Sequence, residues 1–332
     1  MLPFEPHPLL RNAHAMTLAA AFWPRSGARL VRLNERLFEV ERGTRILAHC
    51  HWQREPRVAP TLVLVHGLEG SSASPYMLGT ADLAFALGFN VLRLNQRNCG
   101  GTEHLTPTLY NSGLSGDYRA VLVELMERDA LPEIFFAGFS MGGNLVLKMG
   151  GELGEQAPPQ LRGVCAVAPA LDLAACADAL TRPENFLYAW NFVRSLKRHM
   201  RRKAQLFPGR YSLDGLGRVR TVREFDNVIT APYCGYRDAD DYYHRASALR
   251  VVAQIRVPTL ILTAQDDPVI PFAPFHHPAL AANPHITLVA PRRGGHCGFI
   301  SRAAGDERFW AEARVVEFCR GLAKSSKLTV EN

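Results

Sequence analysis

One short stretch constrains the fold of this chain more than any other. An apolar run over residues 134–139 predicts a buried strand, and a helical pattern begins directly afterwards, at residues 145–149. The pattern G-x-S-x-G joins them at residues 138–142. A chain that reverses so sharply from strand to helix has no room for side chains beside the turn, which explains both glycines. The stretch therefore predicts that Ser140 lies at the apex of a strained turn, with its hydroxyl exposed above the sheet.

The same residues could form an ordinary glycine-rich turn. The rest of the chain argues against this alternative, because strand and helix patterns alternate along it. Two β-rich stretches at residues 30–40 and 45–52 predict an edge hairpin. A continuous apolar run at residues 61–65 is typical of a strand covered on both faces, and further strands are predicted at residues 90–94, 134–139, 164–167, 259–263 and 286–289. Alternation of this kind predicts an α/β fold with a mostly parallel central sheet flanked by helices.

The alternation is interrupted once. Residues 172–256 contain no buried-strand run, but they do contain aromatic-rich helical patterns. We therefore predict a core built from residues 1–171 and 257–332, and a helical cap formed by residues 172–256. An insertion at this point would cover the carboxyl ends of the strands, where open parallel sheets bind their ligands.

The net charge of +7 is concentrated in the predicted cap. Residues 194–223 hold ten lysines and arginines against one acid, Asp214. Such a run is typical of a solvated helix face, and it would also suit peripheral contact with an anionic membrane. No nucleic-acid-reading motif accompanies the charge, so we predict no nucleic-acid partner.

A serine hydroxyl needs a base and an orienting carboxylate to act as a nucleophile, and the sequence offers both in the order Ser, Asp, His. Asp267 follows the penultimate predicted strand, and His296 follows the last strand in a glycine-rich loop. We prefer Asp267 to Asp266 because such acid loops place the aspartate four residues before a proline, here Pro271. Ser140, Asp267 and His296 are thus the predicted catalytic residues.

Other side chains compete less well for these roles. The remaining histidines of the C-terminal region, His276, His277 and His285, lie in helix-like or strand-edge settings that favour a surface position. Cys297 adjoins His296, but nothing in its surroundings indicates an activated thiolate.

An oxyanion hole needs two backbone N–H groups. Met141, directly after the nucleophile, would supply one, and Leu68, in the loop after the strand at residues 61–65, would supply the other.

Several longer stretches carry a resemblance to a known family. They are H-G-L-E-G-S-S-A-S-P-Y at residues 66–76, G-F-S-M-G-G-N at 138–144, E-F-D-N-V-I-T-A-P at 224–232 and R-N-A-H at 11–14. With these, the chain resembles the YheT-like branch of the α/β-hydrolases. The resemblance implies a serine esterase or lipase-like enzyme with Ser140, Asp267 and His296 as its triad. Asn98 stands where that branch usually has glycine, although asparagine also tolerates a left-handed backbone.

The predicted function is cleavage of small-molecule carboxylic esters or lipids through an acyl-enzyme. Acyl transfer to an alcohol, and a non-catalytic lipid- or membrane-binding role on the same fold, are the alternatives. We predict no cofactor and no metal, since residues 67–70 lack the Lys-Ser/Thr of a phosphate loop. Seven scattered cysteines and an N-terminus with an acid and prolines, unlike a signal peptide, predict a cytoplasmic protein.

Overall fold

The computed structural model describes residues 2–323, so residue 1 and residues 324–332 of the predicted core segments lie outside it. Eight strands form one sheet within the described residues. In chain order they are β1 (Asn34–Glu41), β2 (Thr44–His51), β3 (Thr61–Val65), β4 (Asn90–Leu94), β5 (Ile134–Phe139), β6 (Leu161–Val167), β7 (Thr259–Leu262) and β8 (Ile286–Val289). The predicted hairpin is β1 and β2, which pair antiparallel around Gly43.

The strand order across the sheet is β1-β2-β4-β3-β5-β6-β7-β8. Strands β3 to β8 run parallel to one another, whereas β2 pairs antiparallel with both β4 and β1 and is the only strand of the described sheet that runs in the opposite direction. Every residue of strands β3, β4, β5 and β7 is buried, which agrees with their mainly apolar sequences. The predicted fold class, a mostly parallel sheet flanked by helices, is confirmed.

Helices cover both faces of the sheet, and further helices form the segment between β6 and β7. They are α1 (Ala13–Phe22), α2 (Pro75–Ala86), α3 (Ser115–Glu127), α4 (Met141–Leu153), α5 (Leu173–Ala179), α6 (Phe186–Leu206), α7 (Val222–Phe225), α8 (Ala231–Cys234), α9 (Ala239–Ala246), α10 (Pro278–Ala282) and α11 (Trp310–Leu322). Alternate strand residues point to opposite faces, so Val63 and Phe136 pack with α3 and α4, whereas Leu64 and Phe135 pack with α2 and α11.

The parallel register brings four loops to one edge of the sheet. Val65 at the end of β3 lies opposite Gly138 of β5, Val167 at the end of β6 lies opposite Leu262 of β7, and Leu262 lies opposite Val289 at the end of β8. The carboxyl ends of these strands therefore meet, and the loops that carry the predicted site residues start side by side.

The segment between β6 and β7 folds into helices α5 to α9 and contains no strand. Its middle part has a small apolar cluster of its own, which includes Leu196, Met200 and Phe225. Its two ends join the main core instead, through α5 and α9. Residues 172–256 are called the inserted segment below. They include α6, whose 21 residues extend well beyond the predicted aromatic stretch and into the basic run.

Candidate active site

The turn between β5 and α4 has the strained geometry that its sequence predicts. Ser140 adopts φ 54° and ψ −118°, a conformation that is rare for a residue with a side chain. A Cβ on Gly138 would lie 2.1 Å from the Gly142 carbonyl oxygen, and a Cβ on Gly142 would lie 2.3 Å from the carbonyl oxygen of Val65. Both glycines are therefore required by close backbone packing.

Ser140, His296 and Asp267 come together above this edge of the sheet, from loops that are far apart in sequence. The Ser140 Oγ lies 3.0 Å from His296 Nε2, and His296 Nδ1 lies 2.9 Å from Asp267 Oδ2. Both distances are within hydrogen-bonding range. The serine can thus pass its proton to an imidazole that a carboxylate holds from the other side.

The two neighbouring aspartates have different partners. The Asp267 side chain is fully buried, and its second oxygen, Oδ1, accepts hydrogen bonds from the N–H groups of Val269 and Ile270. Asp266 instead accepts a hydrogen bond from the Gly295 N–H, 3.0 Å away. Asp267 therefore faces the imidazole of His296, whereas Asp266 tethers the backbone of the histidine loop.

His296 is oriented from two directions. Burial lowers the pKa of its imidazole, but the Asp267 carboxylate and Cys297 together outweigh burial and raise that pKa above its ordinary value. The His296 backbone N–H donates to Thr17 Oγ1 at 2.9 Å, so helix α1 also holds the loop. The pairing favours the imidazolium that forms when His296 takes a proton.

The two predicted oxyanion-hole residues line the same cavity as Ser140. Met141 is the first residue of α4, so its N–H has no carbonyl partner within the helix. Among the described residues, the Leu68 N–H donates to no protein acceptor. Tyr76 fixes the loop before Leu68, because its hydroxyl accepts a hydrogen bond from the Gly67 N–H at 3.0 Å.

His66, which precedes this loop, is a buried neutral side chain. Burial lowers the pKa of His66 to about 4. Its Nε2 accepts a hydrogen bond from the Gln96 N–H at 3.1 Å, so Nδ1 carries the proton and donates to the Gly67 carbonyl at 2.7 Å. His66 therefore shapes the loop that carries Leu68 and does not take part in proton transfer.

The other residues that could compete for the catalytic roles are placed less favourably. His276 and His277 are exposed, and His285 precedes β8, at the end of the sheet opposite Ser140. Cys297 is nearer, with its Sγ 4.0 Å from His296 Nε2, but it forms no second contact that would activate a thiol.

Ser140 faces a cavity of about 1040 Å³, its mouth included. The core and the inserted segment both contribute to its walls, which are mainly apolar. The apolar lining residues are Leu68, Leu109, Met141, Ala170, Leu173, Ala177, Leu180, Phe192, Leu196, Met200, Val222, Phe225, Val269 and Ile270. A cavity with this lining suits a hydrocarbon chain next to the reacting group.

A few polar side chains also line the cavity, and sequence reasoning missed their roles. Lys203 of α6 is buried, and its Nζ donates to Asn98 Oδ1 at 2.6 Å and to the carbonyl oxygens of Glu103 and Thr106. Burial lowers the pKa of Lys203 to about 8. Asn98 has a positive φ of 68°, so the residue that replaces the branch's glycine keeps the left-handed backbone and also binds the inserted segment.

A second connection joins α6 to the loop of Leu68. Glu69 accepts hydrogen bonds from His199 Nδ1, 3.1 Å away, and from the Tyr110 hydroxyl. The hydrogen bond to Glu69 raises the pKa of His199. An acid directly after the predicted oxyanion residue was the only signal of this contact in the sequence, because its partner lies 130 positions away.

Residues 60–303 match the family model of the alpha/beta hydrolase fold. The chain is 32% identical to the "Putative esterase YheT" of Escherichia coli over 272 residues, which cover 80% of this chain and 79% of that protein. This chain belongs to the α/β-hydrolase fold family.

Within the family, the match to YheT places this hydrolase in the YheT-like branch. It is also 31% identical to mouse "Phospholipase ABHD3" over 73% of its own length, but it spans only 58% of that longer protein. Among solved structures, the Pyrococcus furiosus esterase Pf2001 superposes with a TM-score of 0.59 at 15% identity, covering 88% of this chain and 93% of the esterase. This last likeness concerns the fold alone.

Proposed function

We propose that this α/β hydrolase is a serine esterase that cleaves carboxylic esters of short- to medium-chain acyl groups or lipids. The contact geometry carries the proposal, because the Ser140 Oγ, the His296 imidazole and the Asp267 carboxylate form a continuous hydrogen-bonded chain. The names of its relatives, an esterase and a phospholipase, support ester substrates.

In the proposed mechanism, Ser140 attacks the ester carbonyl while His296 Nε2 takes the proton from its hydroxyl. Asp267 holds the imidazole in place and stabilises its charged form. The N–H groups of Leu68 and Met141 donate to the oxyanion of the tetrahedral intermediate. His296 then gives its proton to the leaving alcohol, and a water molecule releases the acyl group from Ser140 by the same steps in reverse.

The proposed cap is the inserted segment, residues 172–256. Its helix α6 forms one wall of the cavity, while Ser140 and the strand ends form another. The apolar wall would hold the acyl chain, and closing the site from above would keep bulk water from the acyl-enzyme.

The test is hydrolysis of p-nitrophenyl esters with acyl chains of two to twelve carbons, by the wild type and by Ser140→Ala in parallel. Since Ser140→Ala removes the nucleophile, we expect the kcat of the variant to fall by about 10⁴- to 10⁶-fold on every ester that the wild type cleaves. Equal rates in both proteins would overturn the assignment of Ser140. Absence of turnover in both, with an intact fold by circular dichroism, would favour the non-catalytic lipid-binding role.

A further inference from the structure

Helix α6 has two chemically different faces. The 3.6-residue period places His199, Phe192, Lys203 and Leu196 on one side, and all four line the cavity. On the opposite side, one arc of about 120° includes three large apolar residues and three arginines. They are Phe186, Leu187, Trp190, Arg194, Arg198 and Arg201, called the outer face below.

The amino-terminal half of the outer face is apolar and exposed. Phe186, Leu187 and Trp190 expose 63%, 65% and 51% of their surfaces. Single exposed apolar residues are common, but three large ones within five positions form a patch that costs solubility unless it serves a contact. No helix of the described residues has the length and apolar character to cross a bilayer, so the patch is not part of a spanning segment.

The carboxyl-terminal half of the outer face is cationic. Arg194, Arg198 and Arg201 are exposed, and the sequence of α6 contains no aspartate or glutamate. Across residues 2–323, no carboxylate forms an ion pair with any of these three arginines. The Arg194 guanidinium lies over the Trp190 ring, 5.1 Å from its centre, so the aromatic and cationic halves adjoin.

Helix α1 contacts α6 at Tyr188, which lies outside the arc of the outer face. The His14 ring stacks on Tyr188 near the start of α6, with ring centres 5.7 Å apart. Leu18 and Phe22 follow His14 at four-residue intervals on the same side of α1, and Phe22 exposes 82% of its surface. Tyr188 is also close enough for the Asp267 carboxylate to raise its pKa, after the larger effect of burial. The start of α6 therefore lies near the proposed catalytic residues.

We infer that the outer face docks this enzyme on an anionic lipid surface, with its aromatic side chains in the headgroup layer and its arginines on the lipid phosphates. An interfacial helix of this kind combines an apolar patch with a basic flank, and both are present here. A nucleic acid would satisfy the arginines but would leave Phe186 and Leu187 exposed, so the lipid surface is the better fit. The inference rests on the proposed function, because docking on the lipid surface would bring lipid esters close to the cavity on the inner side of α6.

Vesicle flotation tests the inference without requiring turnover. The wild type should bind vesicles of phosphatidylcholine with 30 mol% phosphatidylserine, and should bind pure phosphatidylcholine at least tenfold more weakly. An arginine near an anionic surface contributes about fivefold to partitioning. Arg194→Gln, Arg198→Gln and Arg201→Gln together should therefore weaken binding by about 100-fold, and 0.5 M salt should have a similar effect.

A matched control variant changes Arg54, Arg57 and Arg119 to Gln. These residues are exposed, carry the same total charge and lie away from α6. The control should bind vesicles as the wild type does, and both triple variants should cleave a dissolved short-chain ester at the wild-type rate. Equal losses of vesicle binding in both triple variants would mean that net charge alone, and not the outer face, causes binding. The inference would also be overturned if the wild type did not bind the vesicles, or if it bound duplex DNA with equal affinity. Because flotation does not depend on Ser140, either result is independent of the Ser140→Ala test.

Discussion

At the scale of single residues, Asp266 and Asp267 offer a sharp test of the triad. Asp267→Asn removes the charge that stabilises the imidazolium and leaves an amide facing His296 Nδ1, so we expect kcat/KM to fall by about 10⁴-fold. Asp266→Asn keeps an oxygen that can accept from the Gly295 N–H, so its loss should stay below about tenfold. Steady-state kinetics on one ester compares the two. Similar losses in both variants would contradict the assignment of Asp267.

The residue scale also separates what a sequence can predict from what it cannot. Ser140 was predictable because the glycines that its turn requires are its own neighbours. Thr17 was not, because its hydrogen bond to the His296 N–H joins positions 279 residues apart, and a threonine in a helix has no pattern that indicates such a partner. Local steric requirements can be inferred from neighbouring residues in the sequence, whereas long-range hydrogen bonds depend on how the elements pack.

At the scale of elements, the contact between α6 and the loop after β4 should contribute to stability. Asn98→Gly suits the left-handed backbone, but it removes one of the three acceptors of a buried ammonium. We expect the free energy of unfolding to fall by about 1–2 kcal/mol, because a buried charged donor without its partner is costly. Urea denaturation measures the change. The control, Asn98→Asp, keeps an acceptor for Lys203 and should lose less of the free energy of unfolding. If Asn98→Gly were as stable as the wild type, the contact between Asn98 and Lys203 would not be a stabilising one.

The elements of the core were easier to predict than those of the inserted segment. Strands covered on both faces must be apolar throughout, so their sequences could hardly be mistaken. Helix α6 has a mixed pattern, since one face lines a cavity and the other is exposed, and only its aromatic start was recognised. The basic residues of segment 194–223 also have different surroundings, which the sequence alone does not distinguish. Lys203 is buried among carbonyl oxygens, Arg223 pairs with Asp178 and Asp240, and Arg194 is exposed.

At the scale of the whole molecule, the cavity is the feature that the sequence could not define. Its walls come from the loops after β3, β4, β5, β6 and β7 and from α5, α6, α7 and α9, so its shape depends on how the inserted segment packs against the sheet. The two connections described above fix that position: Lys203 to Asn98, and His199 to Glu69. The sequence could indicate that a cavity exists above the strand ends, but its size follows from packing between distant segments.

Because α6 forms one wall of the cavity, a substitution in this helix should change which acyl-chain lengths the enzyme accepts. Met200 is buried on the inner face of α6 and lines the cavity. Met200→Trp should therefore fill part of it, and each excluded methylene loses about 0.8 kcal/mol of transfer free energy, or roughly fourfold in rate. Excluding two or three methylenes lowers kcat/KM for a twelve-carbon ester by about 15- to 60-fold, while the acetyl ester should change by less than about threefold. Gln205→Trp, on the exposed side of the same helix, is the matched control. Equal losses on both esters would mean that Met200 supports the catalytic geometry, and unchanged rates on both would place the acyl chain elsewhere in the cavity.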